Sequence, residues 1–340
     1  MTAVTLPQTT MDLGFYNASP FNVSTTPESG TNDYVTNVMR LIFVITETAL
    51  LLTLNPLCLL ALSHVHDTVQ DTTKVFLRSM TAADLGVGIF VAFPMIPSVI
   101  YGGWPFGDAL CGMQSFLLPF CVTGSLLSLL LLSVDRYISV VYALRYHSLL
   151  TLKRARIMAC AAWAVVLCTV TGYGHLSGWR AKYFDYSLCC IFYIDGGGSY
   201  TYMQVTYTII LLSCLLTLAV VYTRLYLISR QHACRIHVDN QPAGQGNRLA
   251  RPATKTLHTM LLIALSALFF NLLPIIFFTM IIYNNSAMLT LFLFVLPVLT
   301  NSWVNVVIYY LRNGEIRRAT FNLLVSCYKC CKRCTHFNPN

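Results

Sequence analysis

"GSLLSLLLLSVDRYISVVYALRYHSLLT", residues 124–151, sets an Asp-Arg pair against the end of a run that carries no charge. From Gly124 to Val134 every residue is apolar or a small hydroxyl. Fully buried Asp and Arg are rare, so Asp135 and Arg136 mark the place where a segment greasy enough for lipid meets water. A membrane span needs roughly 20 mostly apolar residues at about 1.5 Å rise each. Windows of that size recur seven times, at about 38–63, 73–100, 110–135, 156–176, 203–229, 257–283 and 287–310. The linkers are short except 177–202 and 230–256. An odd number of crossings puts the two termini on opposite sides.

Composition agrees. Hydrophobic residues make up 56% of the 340-residue chain and charged residues 10%, with a mean hydropathy of +0.62. A soluble domain averages about 25% charged residues, so this chain lacks the polar surface to face water throughout and is read as a membrane protein. The net charge of +9 invites a nucleic-acid reading. Its distribution excludes one: the first 39 residues hold no Lys or Arg, and the basic residues form no face or stripe. Lys74, Arg145, Lys153, Arg154, Arg156, Arg230, Arg235, Arg248, Arg251, Lys255, Arg317, Arg318, Lys332 and Arg333 follow spans one, three and five or lie in the tail. The opposite side holds Arg180 and Lys182, with Arg40 at the start of span one. The positive-inside rule then places the N-terminus outside and the tail in the cytoplasm.

Sequons at Asn17, Asn22 and Asn284 fall on the outer side and read as glycan acceptors. Residues 1–36, rich in Thr, Ser, Asn and Pro, read as a disordered extracellular arm. They lack a basic region followed by an apolar core, so no cleavable signal peptide is expected, and the first span inserts itself. Residues 37–311 form the transmembrane domain and 312–340 a cytoplasmic tail. Within it "RNGEIRRATFNLLVSCYKCC" (312–331) is too short and too charged to span. Ile316, Phe321, Leu324 and Val325 make an apolar face opposite Arg317 and Arg318, as expected of a helix lying on the inner leaflet. Cys327, Cys330 and Cys331, with Cys334, stand where palmitoylation occurs. A free-thiol cluster or a zinc site is the other reading, with no His at finger-like spacing to favour zinc. Of the thirteen Cys, Cys58, Cys121, Cys160, Cys168 and Cys214 lie inside apolar runs and act as small hydrophobes.

Polar residues inside spans cost free energy in lipid. Asn55, Asp84, Ser125, Trp163, Asn301, Ser302 and Asn305 recur at matching depth. A lone carboxylate such as Asp84 would protonate or find a cation. With Ser125, Asn301, Ser302 and Asn305 it has oxygens enough for a small hard cation. The alternative is that these groups only hydrogen-bond the helices together.

Asn55, the "AAD" ending at Asp84, Cys111, "DRY" at Asp135–Tyr137, Trp163, Tyr222, Pro274 and the N-x-x-x-Y of Asn305–Tyr309 are spaced as in the rhodopsin-like (class A) G-protein-coupled receptors. The resemblance covers about 37–331 and is nearest to amine-like and orphan-like members. It implies an all-α membrane fold, a seven-transmembrane helix bundle with a short amphipathic helix 8, at the plasma membrane. It implies a heterotrimeric G protein as partner, with arrestin and receptor kinases as further ones, and an extracellular ligand. In such receptors the resting Arg136 is held by Asp135, and when span six swings outward it meets the G protein. Tyr222 and Tyr309 match positions that hold the open state, and Leu144 matches the apolar knob of the second inner loop. Cys111 would pair with Cys189 or Cys190, and the Asp84 cluster matches a sodium site that favours the inactive state.

The sequence departs from that pattern at Leu272, Leu268, Cys214 and Val306, where the family usually has Trp, Phe, Pro and Pro. Thr254 stands where many members carry an acid that locks Arg136 from span six, so signalling without ligand is expected. Leu118 replaces the amine-pairing Asp, and no Lys in span seven can hold retinal. Gln114, Leu118, His175, Leu272, Phe277 and Phe278 are the ligand-pocket candidates, suiting a lipid-like, small apolar or peptide ligand. Of the competing classes, a transporter lacks an internal repeat and has one buried carboxylate for an ion relay. A non-coupling decoy or scaffold is motivated by Leu272 and Val306. An enzyme has no metal-ligating His pair, phosphate loop or nucleophile motif.

Overall fold

The computed structural model describes residues 27–65, 69–185, 187–192, 208–209, 212–213, 216–224, 227–228, 261–274, 276 and 296–335. Helix α1 is Pro27–His64, α2 Asp71–Val87, α3 Phe93–Tyr101, α4 Gly107–Val141, α5 Tyr146–Leu149 and α6 Leu152–Leu176. An antiparallel hairpin, β1 Ala181–Phe184 and β2 Cys189–Phe192, follows. Helical residues 216–224 form α7, Leu261–Pro274 α8, Leu296–Arg312 α9 and Gly314–Thr335 α10. Four described stretches are long and apolar enough to cross a membrane: Tyr34–His64, Asp71–Tyr101, Gly107–Val141 and Leu152–Leu176.

The inward face of α1 follows helical spacing, with Val44, Leu51, Asn55, Cys58 and Leu62 buried. Burial across the bundle falls into two apolar clusters. One gathers Cys58, Met80, Leu126, Leu132, Tyr222, Val306, Tyr309 and Ile316. The other gathers Val44, Leu51, Val87, Met95, Cys121, Leu188 and Leu299. On each of four helices a polar residue falls between them: Asn55 on α1, Asp84 on α2, Ser125 on α4, and Asn301, Ser302 and Asn305 on α9, all buried.

The second span is not one continuous α-helix. A π-turn, Gly88–Ala92, separates α2 from α3. Pro94 has no N–H to give to the carbonyl four residues back. The Phe90 carbonyl accepts instead from Gln114 Nε2 of α4, at 3.5 Å, and Val91 shares that donor at 3.4 Å. α3 stops at Gly102, whose φ of +65° lets its N–H turn back to Ser98 and Val99.

Several features were not expected from sequence. α1 begins at Pro27, inside the stretch read as an arm. α4 runs on to Val141, so Asp135 and Arg136 lie within the helix rather than at its last turn. The linker after α6 holds a hairpin in place of coil, its β2 tied to α4 by the Cys111–Cys190 disulfide. On α10 the inward side is Ile316, Ala319, Thr320 and Leu323, while Phe321 and Leu324 are exposed and available to lipid. Asn313 sets where this helix starts, its Oδ1 accepting from the N–H groups of Glu315 and Ile316. The side chains of Cys327, Cys330 and Cys331, and residues Asn17, Asn22, Phe277 and Phe278, lie outside the described set.

Gly124 is required by packing. A Cβ there would sit 2.7 Å from the Trp163 ring. The ring cannot swing away freely, because its Nε1 donates to Ser79 Oγ at 2.9 Å and its face meets Phe120 at 4.9 Å. Gly124→Ala is expected to destabilise the fold by about 1–3 kcal/mol through overpacking, read as a lower thermal midpoint of the purified protein. Gly112→Ala, inside α4 and with an added Cβ that meets nothing within 4 Å, should not lower the midpoint and should raise it, as Ala favours a helix over Gly.

Candidate functional site

Three polar arrangements sit along the bundle. At the first, Asp135 is fully buried and Arg136 nearly so. Arg136 Nε donates to Asp135 Oδ2 at 3.0 Å, and its Nη2 reaches Asp135, Thr73 Oγ1 and, at 3.2 Å, Gln70 Oε1. Asp135 also accepts from Thr73 Oγ1 at 2.8 Å and from the Tyr146 hydroxyl at 2.5 Å. Thr72 Oγ1 lies 2.6 Å from that hydroxyl. The buried carboxylate is thus met by one cation and several hydroxyls, as a buried polar group requires. Beside this clasp, Ser133 donates to the hydroxyl of buried Tyr222 at 3.1 Å, and Tyr309 is buried in the same apolar cluster. Leu144, on the 3-10 turn Ala143–Arg145, is fully exposed, and Tyr137 packs against the cluster.

The second arrangement is the polar layer. Asn305 Nδ2 donates to Asp84 Oδ2 at 3.4 Å, and the Ser125 and Ser302 hydroxyls also interact with that carboxylate. Asn55 Nδ2 donates to the Leu51 and Ser302 carbonyls. Four oxygens remain buried without a hydrogen-bond partner among the described residues: Asn55 Oδ1, Asp84 Oδ1, Asn301 Oδ1 and Asn305 Oδ1. Unpaired buried acceptors call for an explanation, an ion among them. Hard oxygens around one carboxylate fit a small hard cation. Trp163, expected at the same depth, belongs elsewhere: it bridges α6 to the Ser79–Ser128 pair joining α2 and α4.

The third arrangement is the hairpin end. Gln114 Oε1 accepts the Cys190 N–H at 2.7 Å, so this pocket candidate already joins α4, the π-turn and β2. Leu118 packs against the cluster that holds Leu188 and Cys189. His175 is exposed and meets Trp179 edge-on, and Leu272 is 39% exposed. The disulfide partner of Cys111 is Cys190, whereas Cys189 is a buried free thiol. Alternation along β2 sends neighbouring side chains to opposite faces, a choice that two adjacent Cys do not reveal.

Asp84 is not the one carboxylate inside a span. Glu47 of α1 is also buried, and it accepts from Thr300 Oγ1 at 3.0 Å and Trp303 Nε1 at 2.6 Å of α9. Its signal, an acid in an otherwise apolar window, was present in the sequence. Tyr146, Thr72 and Thr73 gave no such signal, because only the fold brings them to Asp135.

The sequence matches the family described as 7 transmembrane receptor (rhodopsin family) over residues 54–309. Among curated relatives, the Homo sapiens alpha-1A adrenergic receptor is 29% identical over 221 residues, covering 59% of this chain and 46% of the relative. The Rattus norvegicus melanocortin receptor 5 is 27% identical over 218 residues, covering 63% of this chain and 60% of the relative. The Mus musculus alpha-1D adrenergic receptor is 34% identical over 112 residues, covering 33% of this chain and 20% of the relative. The chain therefore spans less than two thirds of the length of the relatives it matches.

Tyr146 lies outside the spans, and its hydroxyl is pushed up to about 12, first by burial and then by donating to Asp135. Deleting a hydrogen bond to a charged group costs about 1.5–3 kcal/mol, so Tyr146→Phe should lower the thermal midpoint. The un-ionised phenol is the form the fold favours. Its contribution is fully present below the ordinary tyrosine value of about 10 and is lost as pH rises through about 12. The midpoint difference between wild type and Tyr146→Phe should therefore hold constant at neutral pH and shrink across that alkaline window.

Proposed function

The chain belongs to the rhodopsin family of seven-transmembrane receptors, and on that footing we propose that it converts an extracellular ligand, or its own basal equilibrium, into activation of a heterotrimeric G protein at the plasma membrane. The observation that carries this reading is the Arg136 clasp beside an exposed Leu144. A cation held by Asp135, Thr73 and Gln70 can be freed as a unit, and the exposed apolar side chain next to it offers a docking knob. The Asp135 end is then cytoplasmic and the hairpin end extracellular, in line with the Lys and Arg asymmetry. Arrestin and receptor kinases would act on the same cytoplasmic face.

Signalling is a two-state population shift, in which ligand and G protein each favour the form with Arg136 released. The contacts of Arg136 among the described residues come from its own helix and from the α2 side. Thr254 supplies no carboxylate for a lock from span six. A resting state held from one side favours signalling without ligand. In cells carrying a reporter and a panel of chimeric G proteins, wild type should signal above an Arg136→Ala control in at least one chimera. Equal signals across the panel, with and without a lipid, amine and peptide library, would overturn the reading.

The polar layer supports an allosteric sodium ion. Asp84, Ser125, Asn301, Ser302 and Asn305 would hold it, and the ion would supply the positive charge that Asp84 otherwise lacks. The chain's own residues supply oxygens from α2, α4 and α9, so an ion there ties these helices in the resting arrangement. Replacing choline chloride by sodium chloride in a membrane nucleotide-exchange assay should lower basal exchange, and Asp84→Asn should abolish that dependence. Wild-type exchange indifferent to sodium would remove the ion from the mechanism.

The adrenergic relatives do not settle the ligand. Leu118 stands at the family's amine-pairing position, which supports a ligand that is not a monoamine.

A further inference from the structure

Arg40 is a buried cation at the hairpin end of α1, 5% exposed. Its ion pair is with Asp185, through Nη1 alone at 3.4 Å, and the Asp185 side chain is 65% exposed. Arg40 Nε is buried with no hydrogen-bond partner among the described residues, and so is the hydroxyl of Tyr183 on β1. The two are close enough for the Arg40 charge to act on the Tyr183 phenol. Two buried donors without a partner among the described residues, both within the charge environment of Asp185, are unusual in a folded protein.

Their chemistry is specific. A guanidinium presents its donors in a plane, and an edge carrying two N–H groups matches the two oxygens of a carboxylate. Asp185 takes one nitrogen from the solvent side and leaves Nε unused. Lys182, exposed on β1, and Arg180 lie on the same loop and add positive charge, against the exposed acid Asp108. The surroundings are otherwise apolar. Val44, Met95, Leu188 and Leu299 form a buried cluster, with Ile96 and Val99 packed on it, and Trp104 stacks on Tyr183 at 6.1 Å. Leu188 and Cys189 are buried at this end, and the buried polar atoms of Arg40 and Tyr183 lie on α1 and the hairpin.

We propose that the junction of α1 with the β1–β2 hairpin binds a carboxylate carried on an apolar body, and that Asp185, held on Nη1, competes with it for the Arg40 charge. The Arg40 Nε–Nη2 edge takes both oxygens of the ligand, and Tyr183 donates a third hydrogen bond. Trp104, partly exposed and stacked on Tyr183, meets the apolar body. This deepens the receptor reading by naming a ligand class, and its direct test is binding rather than signalling.

The test uses the full chain in lipid nanodiscs, with thermal unfolding followed against probe concentration. The probes are laurate and methyl laurate, and N-acetyl-leucyl-phenylalanine as free acid and as amide. A free acid of at least one pair should raise the midpoint saturably while its neutral partner does not. A stronger effect of laurate assigns the carboxylate to a fatty acid, and a stronger effect of the dipeptide acid assigns it to a peptide C-terminus. Arg40→Gln should raise the half-saturating concentration about tenfold or more, and Tyr183→Phe several-fold, as losses of charge-assisted hydrogen bonds do. Asp185→Asn removes an exposed competitor without threatening the fold, and it should lower that concentration several-fold. Acid and neutral probes behaving alike, or Asp185→Asn failing to tighten binding, would overturn the proposal. Tight, Arg40-dependent binding with a silent G-protein reporter would count against the receptor reading and leave this site standing.

Discussion

Hydrocarbon offers no partner to a hydrogen-bonding group, so a polar side chain that a span carries calls for a partner on its own helix, on another span, or in a bound ion. Apolar packing cannot set the register of such helices by itself, since lipid tails are as apolar as Leu. In this chain the register is written in a few polar contacts. Asn55 reaches the Ser302 carbonyl, Asn305 reaches Asp84, and Thr300 and Trp303 reach Glu47. Together they fix α1, α2 and α9 against one another. Trp163, Ser79 and Ser128 do the same for α2, α4 and α6. The two apolar clusters lie on either side of the polar layer.

The Asp135 end applies the same constraint to a full charge. Removing one partner of a buried pair is costly because the other is stranded, and here the pair is shared with Thr73, Gln70 and Tyr146. Movement of Arg136 therefore involves α2 and the loop after α4 together. For the proposed switch, that coupling would favour two discrete arrangements rather than a continuum, which a population shift between states requires.

At the opposite end the constraint is met by a loop. Pro94 leaves the Phe90 carbonyl without its helical donor, Gln114 turns to it, and the other end of the same amide holds β2. The disulfide from Cys111 to Cys190 fastens the same strand. Leu188, held at a φ of +54° that a branched side chain seldom adopts, is driven into the apolar cluster. The hairpin is thereby part of the core, and the polar groups it leaves unmet, Arg40 Nε and Tyr183 Oη, lie at its margin.

By itself the sequence determined what is set by period and composition. The spans follow from runs of apolar residues, an expected direction of insertion follows from Lys and Arg, and the Asp84 layer shows as polar residues at one depth. Asp135–Arg136 was legible for the same reason, as charge at a boundary. Glu47 carried the same kind of signal inside span one. What only the tertiary structure decided are the contacts between residues far apart in the chain: Tyr146 and Thr73 on Asp135, Gln114 on a carbonyl that Pro94 frees, and Cys190 rather than Cys189 on Cys111. Periodicity reports which face of an element is buried. It does not report which side chain of another element arrives there, because that depends on the crossing of helices and on the path of a loop whose composition carries no period.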